Sequence, residues 1–274
     1  MYQKPTVPRP IGGVLDDTLQ LYKASFSKCW LTMVLMSLAS MLLGLYKLHD
    51  MPAVAAGSGM QALLAQYVAT TPGYQVASIV VWLFVYLMYC MLVVIIAAVA
   101  KGEDPEFGPS FGTALRRYPS ALGAAIITGI AAVIGFILLI IPGIYVLNRL
   151  QLAIVPAVSD SRGPGESVGI SWNLVAGNWW RTASLAFVMV IMVYVLSLVL
   201  ILLVGSAAVM VAGAPSTMAQ GLSKFAVVGV VTTAIVTIFT RPLMVAVLVA
   251  MYQDLQLRKG GGDLEARLGA LPKG

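Results

Sequence analysis

Two arginines lie inside otherwise apolar runs. Arg149 sits in "IIPGIYVLNRLQLAIVPAV" with Asn148 and Gln151 beside it, and Arg241 precedes Pro242 late in another apolar run. On a helical wheel Tyr145, Asn148, Arg149 and Gln151 share one arc, and Val146, Leu147, Leu150, Ala153, Ile154, Ala157 and Val158 fill the opposite arc. Thr233, Thr237, Thr240 and Arg241 follow helical spacing, and Ser78, Trp82, Tyr86 and Tyr89 share a face of a third segment. A guanidinium in hydrocarbon costs several kcal/mol or more, so both arginines are expected to turn toward protein. Two cations without a membrane carboxylate suit an anionic guest, a lipid phosphate or a small acid. The competing reading is structural: the arginines bond helix-end carbonyls and the carbonyl of Ile238, which Pro242 leaves free.

Other chemistry has less support. Nucleophilic or acid–base catalysis needs a base within reach of its partner. His49 is the sole histidine, at the end of an apolar run, where solvation is expected. Glu103, Asp104 and Glu106 form the densest carboxylate cluster, but "KGEDPEFGPS" reads as a solvated Gly/Pro turn. The glycines of "RKGGGD" neither follow a strand nor open a helix, so no phosphate loop is inferred. Asp16 and Asp17 are assigned to the exposed face of an N-terminal amphipathic helix. No acidic residue falls inside an apolar run, which argues against a carboxylate ion relay. Cys29 and Cys90 are read as free thiols. No catalytic residue, metal site or cofactor is expected, and nucleic acid is not an expected partner.

The elements that carry these residues follow from composition. The chain is 59% hydrophobic and 10% charged, far below the ~25% charge of soluble domains. A polytopic, all-α membrane protein is the fold class. A crossing helix needs about 20 apolar residues, and the runs 29–48, 76–100, 119–141, 182–204 and 223–252 qualify. The shorter 143–158 follows Pro142-Gly143, which is expected to end the preceding helix, and pairs with 119–141 as a hairpin. Six spans result; a five-span alternative leaves 143–158 re-entrant or interfacial. Lys and Arg gather in alternate loops and at both ends, which places both termini in the cytoplasm.

Amphipathic stretches precede each hairpin: "IGGVLDDTLQLYKASF" with Val14, Leu15, Thr18, Leu19, Tyr22 and Phe26 inward, "SFGTALRRYPSAL", and "ESVGISWNLVAGNWW". Trp30, Trp172, Trp179 and Trp180 suit headgroup depth as interfacial anchors. The organisation is a single membrane domain of three units, about 11–100, 109–158 and 165–257, with a tail at 258–274. A short surface helix is expected at Met60–Val68. Small residues at Ala124, Thr128, Ala131 and Gly135 suit close helix packing.

In their order, "RPIGGVLDDTLQLYKASF", "IPGIYVLNRLQLAIVPAV" with "SWNLVAGNWWR", and "MYQDLQLRKGGGDLE" resemble the bacterial membrane-domain family fused to some glycerophosphodiester phosphodiesterases and the related YciC-like inner-membrane proteins. The resemblance implies six helices in a bacterial inner membrane. It implies no enzyme, because the phosphodiesterase chemistry belongs to a separate barrel. The leading expectation is a non-catalytic membrane protein engaging lipid headgroups, with lipids, other membrane proteins or itself as partners. The alternative is a transporter, flippase or channel for an anionic or amphipathic solute, its cationic cavity lined by spans two, four and six.

Overall fold

The computed structural model describes residues 5–50, 71–212 and 218–269; the surface helix expected at Met60–Val68 lies outside them. The described elements are all helical: α1 (Ile11–Asp50), α2 (Pro72–Lys101), α3 (Phe107–Leu138), α4 (Ile140–Leu150), α5 (Ile154–Ser159), α6 (Pro164–Val175), α7 (Trp179–Ala212) and α8 (Met218–Gly269). Six helical stretches, Ile11–His49, Pro72–Lys101, Phe107–Leu138, Ile140–Ser159, Trp179–Ala207 and Lys224–Gly261, are long and apolar enough to cross a membrane. The protein is an all-α polytopic membrane protein.

The amphipathic stretches differ from expectation in how they join the spans. The first is fused to its span within the 40-residue α1, and the second within the 32-residue α3. Pro119 sits inside α3 without ending it. Only the third is a separate helix, α6. Gly163 and Pro164 open it, the arrangement a helix N-terminus favours. Gly177, at φ +82°, closes it; a residue with a Cβ is strained there. Asn178 N–H then donates to Val175 O, and the chain re-enters helix at Trp179.

The break before α4 falls at Leu139, which is extended at φ −173° and ψ 161°, three residues earlier than Pro142-Gly143 suggested. Pro142 instead occupies the first turn of α4, where a missing N–H leaves no intrahelical bond unmade. The run 143–158 is also not one helix. Pro156 cannot donate to Leu152 O, and Val155 N–H takes that carbonyl in a tighter turn between α4 and α5.

Two compact units divide the chain: residues 1–30, 90–192 and 242–274 form one, and 31–89 and 193–241 the other. In the first, α3 packs against α4, α5 and α6. Its core buries Met91, Leu92, Ile95 and Ile96 of α2, Leu152 and Val155, and Val245, Val247 and Met251 of α8. The hairpin is closed by small residues: a Cβ on Gly135 would meet Gly143 Cα at 2.9 Å, and one on Gly143 would meet the Phe136 ring at 2.5 Å. In the second unit Ser37 Oγ donates to Ala234 O at 2.6 Å. Gly44 there lies so close to Val230 that a Cβ would meet its Cγ1 at 2.9 Å. In lipid, close approach and buried polar bonds of this kind hold helices together, since burial from water contributes little.

Candidate functional site

Four of the eight candidate cavity residues gather at the junction of α4, α6 and α7. Asn148 Nδ2 donates to Trp179 O at 3.1 Å, and Gln151 Nε2 donates to Asn148 Oδ1 at 2.7 Å. Arg149 Nη1 donates to Trp172 O at 3.3 Å, and Ser171 Oγ returns a bond to Arg149 O at 2.7 Å. The guanidinium carbon lies 4.4 Å from the Trp172 ring centre and 5.1 Å from that of Tyr145. Each ring face attracts the cation through its quadrupole. Tyr145 also stacks on Trp179 at 5.8 Å, and Trp179 meets Trp180 edge to face at 4.8 Å. The anchors Trp172, Trp179 and Trp180 are thus one cluster, with Trp180 79% exposed; Trp30 is exposed on α1.

Two buried donors in this cluster, Arg149 Nε and Trp179 Nε1, have no acceptor among the described residues. Beside it an open groove of about 690 Å³ runs between α3, α4 and α6. Ile127, Ala131, Ile134, Val146, Leu150 and Val168 give it apolar walls, and Trp172 joins groove to cation.

The arcs expected for 143–158 are only partly realised. Leu150, Ala153, Ala157 and Val158, assigned to the outward arc, are buried, whereas Tyr145 of the polar arc is exposed. The turn at 151–153, which rotates α5 relative to α4, accounts for Ala153, Ala157 and Val158; Leu150 precedes that turn and is buried because α4 packs against both α3 and α6.

The other four candidates belong to the second unit. Thr237 Oγ1 donates to Ala234 O within its own helix, and Thr233 is exposed. Tyr86 stacks between Trp82 at 5.7 Å and Tyr89 at 6.4 Å. Arg241 is half-buried in α8.

The most elaborate polar site was missed from the sequence. Asp254 on α8 accepts Arg9 N–H at 3.1 Å, Arg181 Nε at 3.0 Å and Nη2 at 2.9 Å, and Arg258 Nε at 3.0 Å. Arg181 and Arg258 both also donate to Arg9 O. Arg9 Nη1 bonds Asp17 at 2.7 Å. Asp17 is 4% exposed, so its assignment to the outer face of α1 is corrected. The face that packs is Val14, Asp17, Thr18 and Leu21, with Leu19 outward, because pairing with Arg9 offsets the desolvation of the carboxylate. Asp254–Arg258, four residues apart on one helix, is the one of these pairs that sequence spacing alone could have suggested. A second polar contact joins Tyr252 Oη to Asp160 Oδ2.

A helical, multi-pass membrane protein with an arginine–aromatic cluster beside an apolar groove is the class these features define. The chain belongs to the family described as a domain of unknown function, DUF7847, whose model matches residues 19–255. No curated protein and no solved structure matches it.

Proposed function

We propose that this is a non-catalytic protein of a bacterial inner membrane, both termini cytoplasmic, that holds anionic phospholipid at the α4–α6–α7 junction. The observation that carries the reading is Arg149: a cation fixed against Trp172 and Tyr145 at the edge of an apolar groove. An acyl chain fits the groove, which falls within the ~300–1,000 Å³ of ordinary ligand sites. The outer edge of the guanidinium matches two phosphate oxygens. Trp172 and Trp180 fit the headgroup zone, where an indole meets both phases. Bound lipid makes the protein a scaffold or sensor of headgroup charge.

The test is retention of lipid. Purified protein exchanged into mixed phosphatidylglycerol–phosphatidylcholine vesicles should enrich phosphatidylglycerol, read by mass spectrometry of the lipid that stays bound after detergent extraction. Arg149→Gln should lower that enrichment ~10-fold, as loss of a charge-assisted pair of about 1.5 kcal/mol predicts, and Arg149→Lys should restore part of it. Equal enrichment in the parent and Arg149→Gln would remove the reading.

A further inference from the structure

Length and composition permit α3 and α4–α5 each to cross the bilayer, but their attachments give them a shorter reach. Asn148 of α4 donates to the carbonyl of Trp179, the first residue of α7. Asn148 therefore marks the level from which α7 sets out. The hairpin turns at Leu139. Only about nine residues separate Leu139 from Asn148, ~14 Å of helix, whereas the hydrocarbon layer is ~30 Å thick. The turn stops near the middle of the layer.

Two further observations agree. The turn itself is bare hydrocarbon: Ile137 is 79% exposed and Ile141 80%, with Leu138, Leu139 and Ile140 between them at 68–70%. No polar side chain occurs from Gly129 to Ile144, although a turn emerging among headgroups needs them. Finally, the turn pairs two of its backbone N–H groups. Leu139 N–H bonds Gly135 O, Gly143 N–H bonds Leu139 O, and Pro142 has no N–H to satisfy. The non-helical backbone is confined to Leu139, which keeps to a minimum the irregular backbone that lipid penalises.

We propose that residues 119–159 form a re-entrant hairpin that enters and leaves on the side carrying the termini. The chain then crosses the membrane four times, through α1, α2, α7 and α8. The partner of the exposed Phe136–Ile141 tip is the acyl chains of that one leaflet. The Arg149–Trp172–Trp179–Trp180 cluster lies at the leaflet's headgroup boundary, ~15 Å behind the tip. The even number of crossings keeps both termini on one side, as six crossings also would, so the basic-residue pattern does not distinguish the two.

Single cysteines distinguish them. Leu139→Cys is compared with Glu103→Cys in the α2–α3 loop and Thr71→Cys at the start of α2, in sealed vesicles of known orientation. The parent, whose Cys29 and Cys90 are buried, sets the background. A membrane-impermeant maleimide should label Glu103→Cys from one side and Thr71→Cys from the other, and Leu139→Cys from neither. A permeant maleimide should label Glu103→Cys and Thr71→Cys but leave Leu139→Cys unlabelled, because a thiol among acyl chains does not ionise to the reactive thiolate; in denaturing detergent all three should label. A nitroxide on Leu139→Cys should report a depth at the bilayer centre. Labelling of Leu139→Cys from the Thr71 side would establish a full crossing and overturn the proposal; labelling from the Glu103 side would show that the hairpin is not inserted, and would also overturn it. Ile137→Cys, equally exposed at the tip, replaces Leu139→Cys if that variant does not elute as folded protein.

Discussion

Asp254→Asn is the substitution with the largest expected effect outside the lipid-facing surface. The side chain of Asp254 is 5% exposed and faces two guanidiniums, those of Arg181 and Arg258, whose side chains are 16% and 30% exposed. Oδ2 takes three N–H donors from them, and Oδ1 takes the N–H of Arg9. An asparagine offers one acceptor and one NH₂. With its oxygen toward the arginines, the NH₂ opposes Arg9 N–H; flipped, it opposes both guanidiniums. Breaking a buried pair costs about 3–5 kcal/mol. Since Arg258 keeps some access to water, about 3 kcal/mol is the reasonable figure. At roughly 2–4 °C per kcal/mol, the unfolding midpoint should fall by about 6–12 °C. The assay is tryptophan fluorescence against temperature in detergent. Asp104→Asn is the matched control, because Asp104 pairs with Lys28 through a side chain that is 80% exposed, and exposed pairs contribute ~0–1 kcal/mol. A midpoint for Asp254→Asn no lower than that of Asp104→Asn would refute the claim that this carboxylate clamps the N-terminal segment to α7 and α8.

Gly143→Ala should destabilise the hairpin, since the new Cβ would lie 2.5 Å from the Phe136 ring; a cost of about 1–3 kcal/mol is expected from overpacking, and Phe136→Ala should recover most of it in the double variant, read by the same thermal assay. Ser37→Ala removes a buried bond between α1 and α8; a loss of ~0.6 kcal/mol, the average for such bonds in lipid, should appear as a shift of only about 1–2 °C.

The class of fold was legible because solvent sets it. A chain with 10% charged residues has too few to face water everywhere, and the long apolar runs marked where helices long enough to cross a membrane lie. Local breaks were less legible. Pro142-Gly143 signalled a turn, but two prolines fourteen residues apart act differently according to where helix starts: Pro142 is absorbed by a first turn, while Pro156 forces a tight one. The Arg149 cluster could be nominated from sequence because Tyr145, Asn148 and Arg149 share one helix face. The acceptors at Trp172 and Trp179 could not, since the register of α6 against α4 is a tertiary fact.

Asp254 was invisible for a related reason. Arg9, Arg181 and Asp254 stand as far as 245 positions apart, and each, read alone, looked like a solvated charge next to a span. The positive-inside reading counted Arg9, Arg181 and Arg258 as topogenic charges. The structure binds all three to one carboxylate or to the peptide it holds. Basic residues beside a span bear on its orientation without explaining cohesion. The same arginines can orient the chain during insertion and afterwards fix its N-terminal segment against the start of α7 and the Asp254–Arg258 turn of α8, because insertion responds to charge on the chain whereas the folded state responds to the geometry of its partners. Lysine at Arg181 separates the two roles. It preserves the charge but cannot reach Asp254 and Arg9 O with one planar fork, so Arg181→Lys should keep the orientation reported by Glu103→Cys and Thr71→Cys labelling while lowering the unfolding midpoint by several degrees. Loss of both together would show that pairing, and not charge, sets the topology.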